Sequence, residues 1–192
     1  MMTIVFADCL WVKSFSEEHQ QVDTKWMDEC LRIGSVDKGM SKSNLGGYHS
    51  EDIRTNHVFG DLFDDIGKEV EKYIRDFDFG KFRGELTNAW FNINQKGDAN
   101  FQHMHSPSLI SGVYYLASEG SISGNLRLHS DSGAKKWAMS NQNPKGWNIA
   151  NQSLYEIAPV KNTLILFPAW MEHSVAESQS DLDRISVSFN YV

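Results

Sequence analysis

The closing stretch Arg184-Ile-Ser-Val-Ser-Phe-Asn-Tyr-Val192 alternates strictly: Ile185, Val187, Phe189 and Tyr191 fall on one side, Arg184, Ser186, Ser188 and Asn190 on the other. Successive side chains of a β-strand point to opposite faces, so this stretch predicts a strand with one apolar and one polar face. Residues 86–94 repeat the pattern, with Thr87, Ala89, Phe91 and Ile93 alternating with Asn88, Trp90, Asn92 and Asn94. Asparagine is disfavoured in strands, so three on one face call for a reason. Solvent and the polar interior of a barrel would serve equally, and pattern does not choose between them. Outward from these two segments, 109–117, 125–130, 154–158 and 163–168 also read as strands, separated by turn-rich joints at Lys96-Gly97-Asp98, Glu119-Gly120, Asp131-Ser132-Gly133 and 178–183.

Before Gly80 the period changes. Residues 16–33 open with Ser16, Glu17 and Glu18, which suit a helix N-terminus, and are expected to stop at Gly34. Residues 57–77 carry Phe59, Phe63, Ile66, Val70, Ile74 and Phe77 three or four apart, the stripe of a helix that covers a sheet. Helices followed by strands predict an α+β, mainly β chain. At 192 residues it is too short for two comfortable domains. The expectation is one domain over 1–192, with an N-terminal strand and supporting helices in 1–80 and a β sandwich or barrel in 81–192. The polar segment 132–153, which carries Trp137 and Trp147, is long for an ordered loop and is expected to act as a lid or binding loop.

Composition narrows the class without naming a chemistry. Hydrophobic residues make up 41% and charged residues 22%, an ordinary globular balance, and the net charge is −7. An acidic chain argues against a general nucleic-acid surface, and no apolar run approaches the roughly 20 residues of a membrane-spanning helix. Two cysteines, Cys9 and Cys30, make no disulfide framework, and the apolar start Ile4-Val5-Phe6 lacks a basic flank and is broken by Asp8. The expected setting is reducing and cytoplasmic. Oligomeric state is left open.

Among seven histidines, His19, His49 and His57 read as surface or capping residues. His103 and His105 differ: two apart on an extended chain, they project to the same side and can reach one ion. His173 follows the apolar run Leu164-Ile-Leu-Phe-Pro168, where a chain leaves a sheet at a rim, and Arg184 comes 11 residues later on the polar face of the last strand.

Taken together, these residues resemble the iron(II)/2-oxoglutarate-dependent oxygenases, in particular the prolyl-hydroxylase-like branch. Asn100-Phe-Gln-His-Met-His105 is similar to the family's H-x-D/E ligand pair, Ser111-Gly-Val-Tyr-Tyr-Leu116 to its tyrosine-bearing strand, and Ser123-Gly-Asn-Leu-Arg-Leu128 to the glycine-led strand that follows. His173-Ser-Val175 and Arg184-Ile-Ser-Val-Ser-Phe-Asn190 resemble the distal ligand and the co-substrate arginine with its R-x-S pattern. The resemblance implies a double-stranded β-helix (a jelly roll, cupin-like) with the helices packed on one sheet. It implies Fe(II) held by His103, His105 and His173. 2-Oxoglutarate would then meet Arg184, with Ser186 and Tyr115 beside it and Asn92 and Asn94 as further pocket residues. The activity implied is a dioxygenase, a hydroxylase acting on a small molecule or a protein side chain.

One departure stands out. The common triad is two histidines and a carboxylate, and here His105 takes the carboxylate's place. Three neutral imidazoles leave the metal's charge uncompensated until the dianionic co-substrate arrives, and they also suit zinc. Asp98 or Asp131 could alternatively swing in. Two rival classes remain: a cupin-like three-histidine oxygenase without 2-oxoglutarate, and a non-catalytic jelly-roll binding module using Trp137, Trp147 and Trp170 as stacking platforms. Several residues have plainer readings. One of Tyr114 and Tyr115 is a core aromatic, Arg127 and His129 are solvated strand residues, Trp170 is a packing residue, and Lys135 and Lys136 form a solvated loop tip.

Overall fold

The computed structural model describes residues 8–15, 20–78, 80, 84–133, 148 and 151–192. Its elements run β1 (Trp11–Ser14), α1 (Gln20–Val36), β2 (Asn44–Leu45), β3 (Tyr48–His49), a 3-10 turn (His57–Phe59) and α2 (Gly60–Phe77). The strand-rich half follows with β4 (Leu86–Asn94), β5 (Ala99–His103), β6 (Ile110–Ala117), β7 (Leu126–His129), β8 (Leu154–Ile157), β9 (Thr163–Pro168), β10 (His173–Val175) and β11 (Arg184–Tyr191). Among the described residues these strands form two antiparallel sheets, β1-β9-β6-β11-β4-β3 and β2-β5-β10-β7-β8. The result is a double-stranded β-helix with α1 and α2 laid on the outer face of the six-stranded sheet.

Alternation explains the layering. On the larger sheet Phe91, Tyr114, Leu164, Leu166, Val187 and Phe189 point outward and join Trp26, Cys30, Leu62, Ile66 and Tyr73 of the helices in one buried cluster. Their neighbours Val113, Tyr115, Ile165 and Phe167 point inward and pack on Leu126 and Leu128 of the smaller sheet. Tyr114 is thus a core aromatic meeting Trp26 edge-on at 6.1 Å, while Tyr115 turns the other way. All six strands expected in the second half are present. The short strands β2, β3, β5 and β10 lie outside the segments read as strands, because two to five residues are too few to display a period.

Helix α1 runs through Gly34 to Val36, so the expected stop is corrected. A Cβ at Gly34 would sit 3.0 Å from Ile93 Cδ1 and 3.9 Å from the Tyr48 ring, so the glycine serves close packing on β3 and β4 and does not end the helix. The start of the expected helix, residues 16–19, lies outside the described residues, as does His19. The second helix begins as the 3-10 turn, where the Asn56 side chain accepts a hydrogen bond from the Val58 N–H at 3.0 Å.

Gly112 on β6 has a similar steric duty. A Cβ there would overlap the buried Phe189 ring and lie 2.8 Å from Leu166 Cδ2. Gly112→Ala is therefore expected to destabilise the fold by about 1–3 kcal/mol, the usual cost of overpacking. Urea denaturation reads this directly, and an unchanged midpoint would contradict it.

Candidate functional site

The sheets open into a cleft of about 560 Å³, mouth included, and the three singled-out histidines line it. Strand pairing brings them there. His173, first residue of β10, pairs with His103 at the end of β5 on one side and with Leu128 of β7 on the other. His105 lies just past β5, pinned by its N–H donating to the Ala169 carbonyl at 3.0 Å. The ring centroids are 4.3 Å apart for His103 and His173, 4.9 Å for His105 and His173, and 5.0 Å for His103 and His105. One ligand nitrogen from each lies within 4.8 Å of the others, a spacing that one metal ion can bridge.

Hydrogen bonds set two of the tautomers. His103 Nδ1 lies 2.7 Å from the Phe101 carbonyl and His173 Nδ1 lies 3.0 Å from that of Met171. A carbonyl only accepts, so each Nδ1 carries the proton and each Nε2 keeps its lone pair for a ligand. In His103 that lone pair faces the Ser43 hydroxyl at 3.3 Å. Burial holds all three imidazoles below their ordinary range, and histidine neighbours push two of them further, His105 to about 4 and His173 to about 3. They are neutral at pH 7, the form a metal needs.

The same shifts bear on stability without metal. The unfolded chain binds protons on these histidines near pH 6.5, whereas the folded chain resists, so their contribution is complete above pH 6.5 and lost as pH falls toward 4. The melting temperature of the metal-free protein is expected to drop between pH 6.5 and 4.5, before carboxylates such as that of Glu29, held down to about 2 by Arg32, begin to titrate. His173→Gln should flatten that drop. Equal slopes in both proteins would refute it.

Arg184 opens β11 beside Asn94, the last residue of β4, and is 2% exposed. Its Nη1 donates to the carbonyls of Ser123 at 2.8 Å and Gly124 at 2.9 Å, and its Nη2 donates to Asn94 Oδ1 at 2.8 Å. Of five guanidinium N–H groups, three are used among the described residues and two remain. Among the described residues no carboxylate lies within ion-pair distance of it, and the cleft lining contains no Asp or Glu. A buried cation without an anion carries a large desolvation cost. The natural partner is a carboxylate brought by a ligand, which a guanidinium meets with two parallel hydrogen bonds.

The other expected pocket residues are placed as follows. Ser186 and Asn92 face each other across β11 and β4, Ser186 also pairs with Tyr115 of β6, and all three line the cleft with Asn94. Tyr115 is 3% exposed; burial raises its phenol to about 12, and its hydroxyl has no hydrogen-bond partner among the described residues. The open question about β4 resolves residue by residue: Asn92 and Asn94 face the cavity, whereas Asn88 is exposed. Neither Asp98 nor Asp131 reaches the lining. Asp98 accepts from the Gln95 N–H at 2.7 Å, and Asp131 is exposed. Arg127 pairs with Glu156 at 2.6 Å, His129 Nε2 lies 2.9 Å from Ser174 Oγ, and Trp170, 45% exposed, is absent from the lining. Trp137, Trp147, Lys135 and Lys136 lie outside the described residues, with most of segment 132–153.

Two features were not anticipated. Trp90 forms a wall of the cleft, its ring 5.5 Å from that of His105, although its place on the Asn92 and Asn94 face was the available signal. His49 is half-buried and stacks flat on Trp90 at 5.4 Å, which corrects its reading as a surface or capping residue. Nothing local marks that contact, since β3 is only two residues long.

Known proteins agree with this architecture. The sequence profile of the family described as "Putative 2OG-Fe(II) oxygenase" matches residues 88–190, more than half of the chain. No curated protein matches the sequence significantly. A prolyl-4-hydroxylase from Pseudomonas putida shares the fold at 13% identity, with 95% of this chain and 91% of that chain covered and a TM-score of 0.66. HygX from Streptomyces hygroscopicus, solved with nickel, 2-oxoglutarate and hygromycin B bound, matches at 14% identity over 95% of this chain and 82% of its own, with a TM-score of 0.64. The α-ketoglutarate-dependent epimerase SnoN from nogalamycin biosynthesis matches at 12% identity over 96% and 78%, with a TM-score of 0.69. With the family profile spanning the strands that build the cleft, the chain belongs to the 2OG-Fe(II) oxygenases, whose cofactors are Fe(II) and 2-oxoglutarate.

Proposed function

We propose that the protein is a hydroxylase in which His103, His105 and His173 hold Fe(II) and Arg184 receives the distal carboxylate of 2-oxoglutarate. The observation that carries this reading is the convergence of three imidazoles and one anion-free guanidinium in a single cleft without a carboxylate. When bound, the metal and co-substrate supply oxidative decarboxylation to succinate and carbon dioxide, coupled to oxidation of a second substrate. The chain's own part is positional. The Phe101 and Met171 carbonyls hold the protons of His103 and His173 on Nδ1, which would leave each Nε2 available to the ion. Ser186, Tyr115 and Asn92 offer hydrogen bonds along the co-substrate, and the inner cluster of Val113, Leu126 and Phe167 excludes water from one side.

The substrate is a small molecule or a protein side chain that enters past Trp90. The solved relatives include a prolyl-4-hydroxylase, a protein crystallised with hygromycin B and an epimerase, and identification of the oxidised product distinguishes hydroxylation from other outcomes. Two free cysteines support a reducing, cytoplasmic setting, and among the described residues no helix is long and apolar enough to cross a membrane. Succinate release with Fe(II), 2-oxoglutarate, ascorbate and candidate substrates tests the proposal. Absence of 2-oxoglutarate binding with Mn(II) present would end it.

A further inference from the structure

Asn94 and the Ser123-Gly124 turn surround the buried end of Arg184 with three hydrogen-bond acceptors, and every one of them is neutral. A fully buried arginine is ordinarily paired with a carboxylate. Here position 94 holds the amide isostere of aspartate, with its oxygen 2.8 Å from Nη2. The acid whose charge acts on Arg184 is Asp98, whose carboxylate is engaged by the Gln95 N–H. At Gly124, a Cβ would overlap the Ala176 carbonyl and stand 3.1 Å from Arg184 Nη1. Only glycine therefore lets this backbone come close enough to hold the guanidinium through carbonyls.

We propose that Asn94 is a positioning residue that fixes the Arg184 guanidinium while leaving its charge uncompensated, so that the full charge and two N–H groups await the co-substrate. This rests on the assignment of Arg184 to the distal carboxylate of 2-oxoglutarate. A neutral acceptor orients the fork without competing for it. An aspartate at 94 would orient it equally well and complete a buried ion pair, and it would repel a second carboxylate arriving at the same guanidinium.

Asn94→Asp separates orientation from charge. In Mn(II)-loaded protein without oxygen, calorimetry should show the variant binding 2-oxoglutarate about 10- to 100-fold more weakly than wild type, the worth of one charge-assisted contact. Its melting temperature and Mn(II) affinity should stay at wild-type values or above. Asn94→Ala, which removes the acceptor and adds no charge, should lose less affinity than Asn94→Asp but melt at a lower temperature. A purely structural role predicts the opposite ranking, with the isosteric aspartate harmless and alanine the worse binder. An Asn94→Asp variant that binds 2-oxoglutarate within threefold of wild type overturns the inference. If Asn94→Asp fails to fold, an Asn94→Ala protein that binds less than twofold more weakly overturns it as well. Should wild type itself bind Mn(II) but no 2-oxoglutarate, the assignment of Arg184 fails instead.

Discussion

Arg184→Gln is expected to weaken 2-oxoglutarate binding about 30- to 1,000-fold while leaving Mn(II) affinity close to that of wild type. The range is what truncating one partner of a buried, hydrogen-bonded charge pair costs. Two effects sum in this variant. The distal carboxylate loses its only cation among the cleft-lining residues other than the histidines, and the carbonyls of Ser123 and Gly124 lose their donor. The second effect should also lower stability, because buried acceptors without partners are costly. Arg184→Lys isolates the first: the charge survives, but the planar fork does not. Its affinity should lie between those of wild type and Arg184→Gln, and calorimetry on the Mn(II)-loaded protein decides. Co-substrate affinity that stays within threefold in Arg184→Gln would remove Arg184 from the site.

The second large effect concerns the metal. His173→Ala removes the most buried of the three imidazoles, the one that β10 supplies beside the strand leading to the other two. Metal affinity should fall by more than the about 10- to 100-fold that changes to outer partners of a metal ligand cost. His105→Asp should behave in the opposite way. It restores the common two-histidine, one-carboxylate set and cancels one unit of the ion's charge, so Mn(II) should bind more tightly in the absence of 2-oxoglutarate. Equilibrium titration with Mn(II) followed by electron paramagnetic resonance measures both. If His173→Ala binds Mn(II) as tightly as wild type, the ion sits elsewhere and the three-imidazole assignment fails.

Much of this was legible in order. Alternation in 86–94, 163–168 and 184–191 needs no partner to be seen, because a strand's two faces are set by its own backbone. The spacing of His103 from His105, and the place of His173 after an apolar run, likewise follow from neighbouring residues. Gly34 shows where such reasoning misleads. A glycine after a helical stripe is a stop signal by habit, yet here the close approach of Ile93, 59 positions away, is what needs it. His49 shows the same limit. Its stacking on Trp90 depends on the pairing of β3 with β4, and a two-residue strand carries no periodic signal.

By itself, then, the sequence determined the longer strands and the helices and the apolar side of β4 and β11, and it singled out the candidate site residues. Those properties depend on residues a few positions apart. Only the tertiary structure decided that the polar faces of β4 and β11 enclose a cleft, and that among the described residues no carboxylate joins its lining and Arg184 is held by neutral acceptors. Those depend on contacts across 60 to 90 residues of chain. Periodicity tells that a face is buried or polar, but the identity of what comes to meet it is set by packing.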